Sequence, residues 1–349
     1  MHTYKRRWLY AIKYDLLRGE HRKSKSALRS AVITAVFLLT TCTLMLYAFP
    51  SSLCQMEKKL RDYGKFSEPL IIAITPSYRR PTRFADMTRL ANTLHLIPHL
   101  YWIVIEDGNN TVPYVEAILR RSTKPYTYIK SPTPDGYPGK GWFQRSVALQ
   151  YLRNNSARLL ENYLSGIVYF VDDDNAYDIR VFTDYVRNVK KLGMWAVGLA
   201  GGLPVEFPIA VNGIVIGYHA WKAKNRTFAV DMAGFAVHLD VILSSTAIIG
   251  KQCNQRLGPE TCLLEDLGLT MEDIEVFGEG GEKGQQEILV WHTKTSDVNF
   301  QESQVANLPY VFETKAVHRK QNTETKSTYI PLLQKSLKRI LESWRAVQF

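Results

Sequence analysis

Three consecutive acids, Asp172, Asp173 and Asp174, follow the run Gly166-Ile-Val-Tyr-Phe-Val171. An apolar, β-branched and aromatic run of this kind reads as a buried strand that ends where its side chains reach solvent. Three adjacent carboxylates repel one another, and a divalent cation bound by one carboxylate together with phosphate oxygens relieves that repulsion. Ligands of open α/β sheets gather at the carboxyl ends of strands, so the chemistry that fits is metal-assisted nucleotide binding. A solvated acidic turn is the plainer alternative.

Such acids need a sheet to hold them, and the pattern upstream supplies one. Pro69-Leu-Ile-Ile-Ala-Ile74 predicts a strand stopped by Thr75-Pro76-Ser77-Tyr78. Phe84, Met87, Leu90, Ala91 and Leu94 fall at helical spacing within 79–96, and His99–Ile105 predicts a second strand ending at Glu106-Asp107-Gly108. Strand, helix, strand with short links is a βαβ unit and predicts a parallel sheet. Tyr78 and Asp107 then stand at strand ends, where an aromatic ring suits a base and a carboxylate suits a base or ribose. A Pro/Gly-rich loop over 131–139 leads into Lys140-Gly-Trp-Phe-Gln-Arg145, the start of a predicted helix through Leu152. Lys140 and Arg145 suit phosphate or uracil, a solvated basic turn being the alternative.

The second half differs in texture. Met194–Ala200 predicts a strand running into Gly201-Gly202, with Glu206, the Gly213–Gly217 run and Trp221 beyond it. Residues 228–239 are apolar except for Asp231, and a lone carboxylate in such a run must be hydrogen-bonded or face a cavity. Glu260 lies in the first turn of a helix predicted from Gly258-Pro259, as a functional acid or as a helix cap. Glu287–Trp291 predicts a strand that ends in His292, with Lys294 beyond, both able to reach phosphates.

The net charge of +11 is uneven: nine Lys or Arg against two acids within residues 1–29 account for +7, leaving +4. The basic pI is therefore no argument for nucleic-acid binding. Residues 30–49 carry no charge, and twenty helical residues span about 30 Å, a hydrocarbon core. With the basic segment cytoplasmic, the expectation is an uncleaved signal anchor and a lumenal C-terminal bulk. Sequons at Asn109, Asn154 and Asn225 agree weakly with that compartment. Cys253 and Cys262 would close a small disulfide loop there, or remain separate buried thiols. The tail after 296 carries a late amphipathic segment suited to core or dimer packing or to a membrane surface.

Taken together, Ile-Thr-Pro-Ser-Tyr-Arg at 74–79, Glu106-Asp107, the triplet 172–174, Val-Asp-Met-Ala-Gly-Phe-Ala at 230–236, Glu260 before Leu263-Leu264 and Val290-Trp-His-Thr-Lys-Thr295 resemble the β-1,3-glucuronosyltransferases of the Golgi. The likeness spans about 69–297. It implies an α/β nucleotide-diphospho-sugar transferase fold, Rossmann-like with a mostly parallel sheet, behind one transmembrane helix. The expected organisation is a cytoplasmic tail 1–29, an anchor 30–49, a stem 50–68, a UDP-sugar half 69–190, an acceptor half 191–297 and an extension 298–349. The resemblance implies that Tyr78, Asp107, Lys140 and Arg145 bind the uridine and diphosphate end. It gives Asp172 and Asp173 to uridine, ribose or donor sugar, Asp174 to manganese, and His292 and Lys294 to the diphosphate. Glu206, Trp221, Arg226 and Asp231 become acceptor and glucuronate contacts, and Glu260 the catalytic base. Lys140 and Lys294 stand where the family often has Arg, which removes a bidentate phosphate contact. The implied donor is UDP-glucuronic acid. The acceptor is a terminal galactose, in the Gal-Gal-Xyl linker of proteoglycans or on N-acetyllactosamine ends of glycoproteins. A homodimer is expected of the family, and the longer C-terminal segment puts the family's dimer contact in question. The reading from another class is an inactive, membrane-anchored glycan-binding protein.

Overall fold

The computed structural model describes residues 29–30, 32–41, 43–44, 62–255, 258–279, 286–293, 295–296, 311 and 313. The chain divides into two compact units, Met1–Lys65 and Phe66–Phe349. In the first, the described residues between 29 and 44 are helical, and no helix among the described residues is long and apolar enough to cross a membrane.

The second unit opens with β1 (Leu70–Ser77), α1 (Arg83–His95), β2 (Leu100–Glu106), α2 (Pro113–Arg121), β3 (Tyr126–Lys130), α3 (Trp142–Leu159) and β4 (Gly166–Phe170). It continues through β5 (Ala176–Tyr177), β6 (Leu192–Met194), β7 (Val197–Gly198), β8 (Val205–Val211), β9 (Ile214–His219), β10 (Phe235–His238), α4 (Leu239–Leu243), α5 (Pro259–Asp266), β11 (Ile274–Val276) and β12 (Val290–Trp291). A seven-stranded sheet runs β11-β6-β10-β4-β1-β2-β3 and a five-stranded one β5-β12-β7-β8-β9. The larger sheet is parallel except at β10, which pairs antiparallel with both β4 and β6.

Helices on both faces explain why β1, β2 and β4 read as unbroken apolar runs rather than alternating ones. Successive side chains point to opposite faces. Ile72, Ile74, Ile103 and Ile105 join Leu149 and Leu152 of α3 in one core, and Ile71, Ala73, Trp102 and Val104 join Met87, Leu90 and Leu94 of α1 in the other.

Register brings the strand ends level. Ile74 lies opposite Phe170, and Ser77 opposite Glu106, while Glu106 is matched to Lys130. Tyr78, Asp107, residues 131–133 and the acid triplet therefore emerge along one edge.

The structure corrects two expected elements. The strand foreseen over Met194–Ala200 is two strands, β6 and β7, in different sheets. Between them Trp195 turns inward, its indole Nε1 donating to Ala233 O at 2.9 Å, so the apolar run was a crossing between sheets. The helix foreseen from Arg79 starts at Arg83, because Pro81 disfavours helical geometry at Arg80. The helix α2, the strand β3 and the hairpin β8–β9 carried no clear signal. Cys253 and Cys262 form a disulfide.

Candidate active site

The three acids have three different environments. Asp172 accepts from Arg145 Nη2, and its backbone oxygen from the Tyr177 hydroxyl at 3.2 Å. Arg145 is buried, and its Nη1 also donates to Lys140 O at 2.9 Å, so this expected phosphate ligand first serves as a fixed counter-charge. Asp173 is buried against Arg80, with an N–O distance of 2.9 Å, and accepts from Ser77 Oγ at 3.3 Å. Burial outweighs Arg80 and pushes the Asp173 carboxyl up to about 6. Asp174 is raised too, by burial and then by Asp172, with His292 opposing. Thr293 Oγ1 donates to the Asp174 backbone oxygen.

Lys140 and Gly141 both have positive φ, +65° and +73°, and turn the loop into α3. A Cβ on Gly141 would lie 2.6 Å from Pro76 Cβ, so only glycine lets this turn reach the end of β1. Lys140 is exposed at the rim. Asp107 is taken up by Thr133, accepting from its backbone N at 2.7 Å and from Oγ1 at 2.8 Å, and so shapes the 131–139 loop. Tyr78 presents an exposed ring with the Arg80 guanidinium 4.9 Å from its centre.

The short β12, laid beside β7, carries the other wall. His292 N donates to Gly198 O at 2.9 Å, which fixes the backbone, and His292 Nδ1 lies 3.2 Å from Asp231 Oδ2. That hydrogen bond, reinforced by Asp174 and Asp172, raises His292 to about 9, so it is a cation at neutral pH. Asp231 also accepts from Ala233 N at 2.9 Å, capping the turn before β10, as expected of a lone acid in an apolar run. Lys294 lies outside the described residues.

Glu260 sits in the first turn of α5. Its Oε2 is 3.0 Å from Arg226 Nη2, and Arg226 in turn donates to Thr261 Oγ1 at 3.1 Å and Val230 O at 3.2 Å. Burial raises Glu260 to about 7 despite Arg226. It is thus a carboxylate poised to exchange a proton near neutral pH. Glu206, also raised by burial, accepts from Trp221 N at 2.8 Å, and the half-exposed Trp221 ring lies under Lys222 Nζ at 4.6 Å. Asp231 is close enough to act electrostatically on Glu206, Glu260 and His292, which groups these four residues in one region.

Several residues that hold the site were not foreseen. Arg80 bridges Asp173 and Asp86, and Asp86 also accepts from Thr295 Oγ1 at 2.7 Å. Behind it Arg83, fully buried, pairs with Glu106 at 2.6 Å and with both oxygens of Glu313. Arg80 directly follows the 74–79 string, yet only the folded chain reveals its partners.

Residues 90–296 match the family model described as glycosyltransferase family 43. The chain belongs to glycosyltransferase family 43. It is 38% identical over 237 residues to galactosylgalactosylxylosylprotein 3-beta-glucuronosyltransferase 2 of Mus musculus, covering 66% of this chain and 70% of that protein. It is 37% identical over 240 residues to the Homo sapiens protein numbered 1 under the same name, covering 65% and 69%. With the Caenorhabditis elegans relative sqv-8, likewise named a galactosylgalactosylxylosylprotein 3-beta-glucuronosyltransferase, the figures are 36% over 259 residues, 69% and 70%. Among solved structures, S. aureus TarS 1-349 aligns over 64% of this chain and 60% of its own at a TM-score of 0.41 and 11% identity, too loose a likeness to bear on function. The family 43 match spans every candidate site residue except Tyr78; Arg80 and Arg83 also precede it.

Proposed function

We propose that this chain is an inverting β-1,3-glucuronosyltransferase that moves glucuronic acid from UDP-glucuronic acid to the 3-hydroxyl of a terminal galactose, in the Gal-Gal-Xyl linker of proteoglycans. The observation that carries the mechanism is Glu260: one buried carboxylate, raised to about 7 and oriented by Arg226, among the acids of a family 43 site. The printed names of the relatives supply the donor and acceptor class.

Glu260 takes the proton from the galactose 3-hydroxyl while that oxygen bonds to the anomeric carbon. The bond to UDP breaks on the opposite face and UDP departs with the electron pair, so an α-linked donor yields a β-glucuronide. A single base and no nucleophile suffice. His292, cationic at neutral pH, receives the diphosphate. Tyr78 offers its ring to the base, Lys140 adds positive charge at the rim, and Lys294 is assigned to the diphosphate on the resemblance alone. Glu206, Trp221 and Asp231 orient acceptor and glucuronate.

A hard divalent cation, manganese in this reading, fits Asp174. The carboxylate is an oxygen donor raised by burial and by Asp172, an environment a cation relieves, and when bound the ion would neutralise the leaving diphosphate. On this reading the protein is a single-pass type II protein of the Golgi membrane, anchored by residues 30–49, with its catalytic unit in the lumen. The support for this is the uncharged run behind nine basic residues.

The test is an acceptor panel with detergent-solubilised full chain, UDP-glucuronic acid and manganese, against galactosyl-galactosyl-xyloside and N-acetyllactosamine. Transfer to the first is expected, lost in chelator. Transfer to N-acetyllactosamine alone would move the protein to glycoprotein capping, and neither transfer nor donor hydrolysis would leave a glycan-binding protein.

A further inference from the structure

The first turn of α5 is tied down residue by residue. Glu260 is held by Arg226, and Thr261 Oγ1 donates to Phe228 O at 2.8 Å, so both bind the turn to the acceptor wall. Cys262 is joined to Cys253, and both are fully buried. The segment that ends at Cys253 belongs to the other wall. Ser146 Oγ, next to Arg145, donates to Ile249 O at 2.9 Å, and Lys251 Nζ donates to Asp135 O in the loop leading to Lys140. Lys251 Nζ also lies 5.4 Å from the Tyr137 ring. Asp172, Arg145, Ser146, Ile249, Cys253, Cys262 and Glu260 thus form one continuous path from the acid triplet to the base.

Little slack exists at the far end. Gly258 has φ +129°, and a Cβ there would lie 2.7 Å from Glu260 Oε2 and 3.0 Å from Arg226 Nη2. The chain enters α5 pressed against the pair it positions.

We propose that the Cys253–Cys262 disulfide is a positioning crosslink for glycosyl transfer, fixing Glu260 of the acceptor wall relative to the donor wall. The proposal deepens, and rests on, the reading of Glu260 as the base. Displacing a reacting group by about 1 Å costs up to about a hundredfold in rate. A crosslink two residues from that group controls kcat more than donor binding.

The experiment uses the full chain with both cysteines changed, Cys253→Ala/Cys262→Ala, well below its melting temperature. Transfer kcat should fall on the order of 10- to 100-fold while KM for UDP-glucuronic acid stays within about twofold. The Glu260 titration, followed by carboxyl ¹³C NMR without substrate, should leave its value of about 7. The charges facing it are Arg226 and Asp231 from the acceptor wall and Arg145 from α3, so altered spacing must register there. A variant that melts lower but keeps wild-type kcat and the same titration would overturn the proposal. Where the double variant does not fold, Lys251→Met, at an exposed position, decides. It cuts the tie to Asp135, and a kcat loss of about threefold at constant donor KM is expected, while no change overturns the proposal. A moved titration in a protein that transfers to no acceptor would instead reject the glucuronosyltransferase reading, and with it the catalytic role of the crosslink, leaving only its structural hold on Glu260.

Discussion

Asp231→Asn removes a charge and little else. Asparagine keeps an oxygen to accept from Ala233 N, so the turn before β10 survives, but the carboxylate 3.2 Å from His292 Nδ1 is gone. That hydrogen bond is the largest cause of the rise of His292 from 6.5 to about 9, with Asp174 and Asp172 adding to it and burial opposing. The two remaining acids stay in place and the imidazole is partly solvated, so the titration midpoint should fall to between about 7 and 8 rather than fully to its ordinary value. At pH 8 the protonated fraction then drops from about nine-tenths to between one-tenth and one-half. If imidazolium receives the diphosphate, UDP affinity at pH 8 falls about 2- to 10-fold, with much less change at pH 6.5. His292 proton NMR and UDP calorimetry at the two pH values read both quantities. A midpoint still near 9, or unchanged UDP binding at pH 8, would refute the reasoning. The sign also holds for folding: a raised histidine adds stability that is complete below pH 6.5 and is lost as pH rises through about 9.

Glu260→Gln preserves size and an acceptor for Arg226, so UDP should bind as before while transfer falls about 10²- to 10⁴-fold; a near-normal rate excludes Glu260 as the base. In the unaltered protein the acid limb of kcat/KM should lie near 7, since the base works only when deprotonated, and activity should rise with pH through that value. Arg83→Met strips the fully buried cation from Glu106 and Glu313 and should cost about 3–5 kcal/mol in a urea melt; a cost under about 1 kcal/mol would mean that the two carboxylates are not held by it.

The central strands were legible because burial on both faces makes a strand an unbroken apolar run, and because Pro76, Asp107 and Asp172 end such runs abruptly. The same rule misled at 194–200, where an apolar run is a crossing with Trp195 turned into the core. Arg145 shows a second limit. Read along the chain it is a basic residue at a helix start, suited to phosphate or uracil or else a solvated basic turn. In the fold its guanidinium is buried and bonded to Asp172. Pairings such as Arg83 with Glu313, 230 residues apart, leave no local trace, since only the fold brings those groups together. Asp231 was legible for the opposite reason: an acid inside an apolar run must have partners, and Ala233 and His292 supply them.

The charge balance at the strand ends sets the three acids apart from one another. Asp172 is matched by Arg145 and Asp173 by Arg80, both guanidiniums themselves buried. Among the described residues no arginine or lysine forms an ion pair with Asp174. Two acid–arginine pairs clamp the loop after β4 from opposite sides: Arg145 reaches it from α3, and Arg80 from the turn after β1. They are positioning devices, and the loop they clamp is the one that carries Asp174. A buried pair adds little net stability, because desolvation offsets the attraction, but removing one partner is costly. Such pairs therefore fix geometry more than they add stability, and here they fix the loop that carries Asp174 near His292. Arg80 is the sharper case, since it also grips Asp86, which Thr295 bonds from beyond β12. The strand that carries His292 and the acids it faces are thereby fastened to the same arginine.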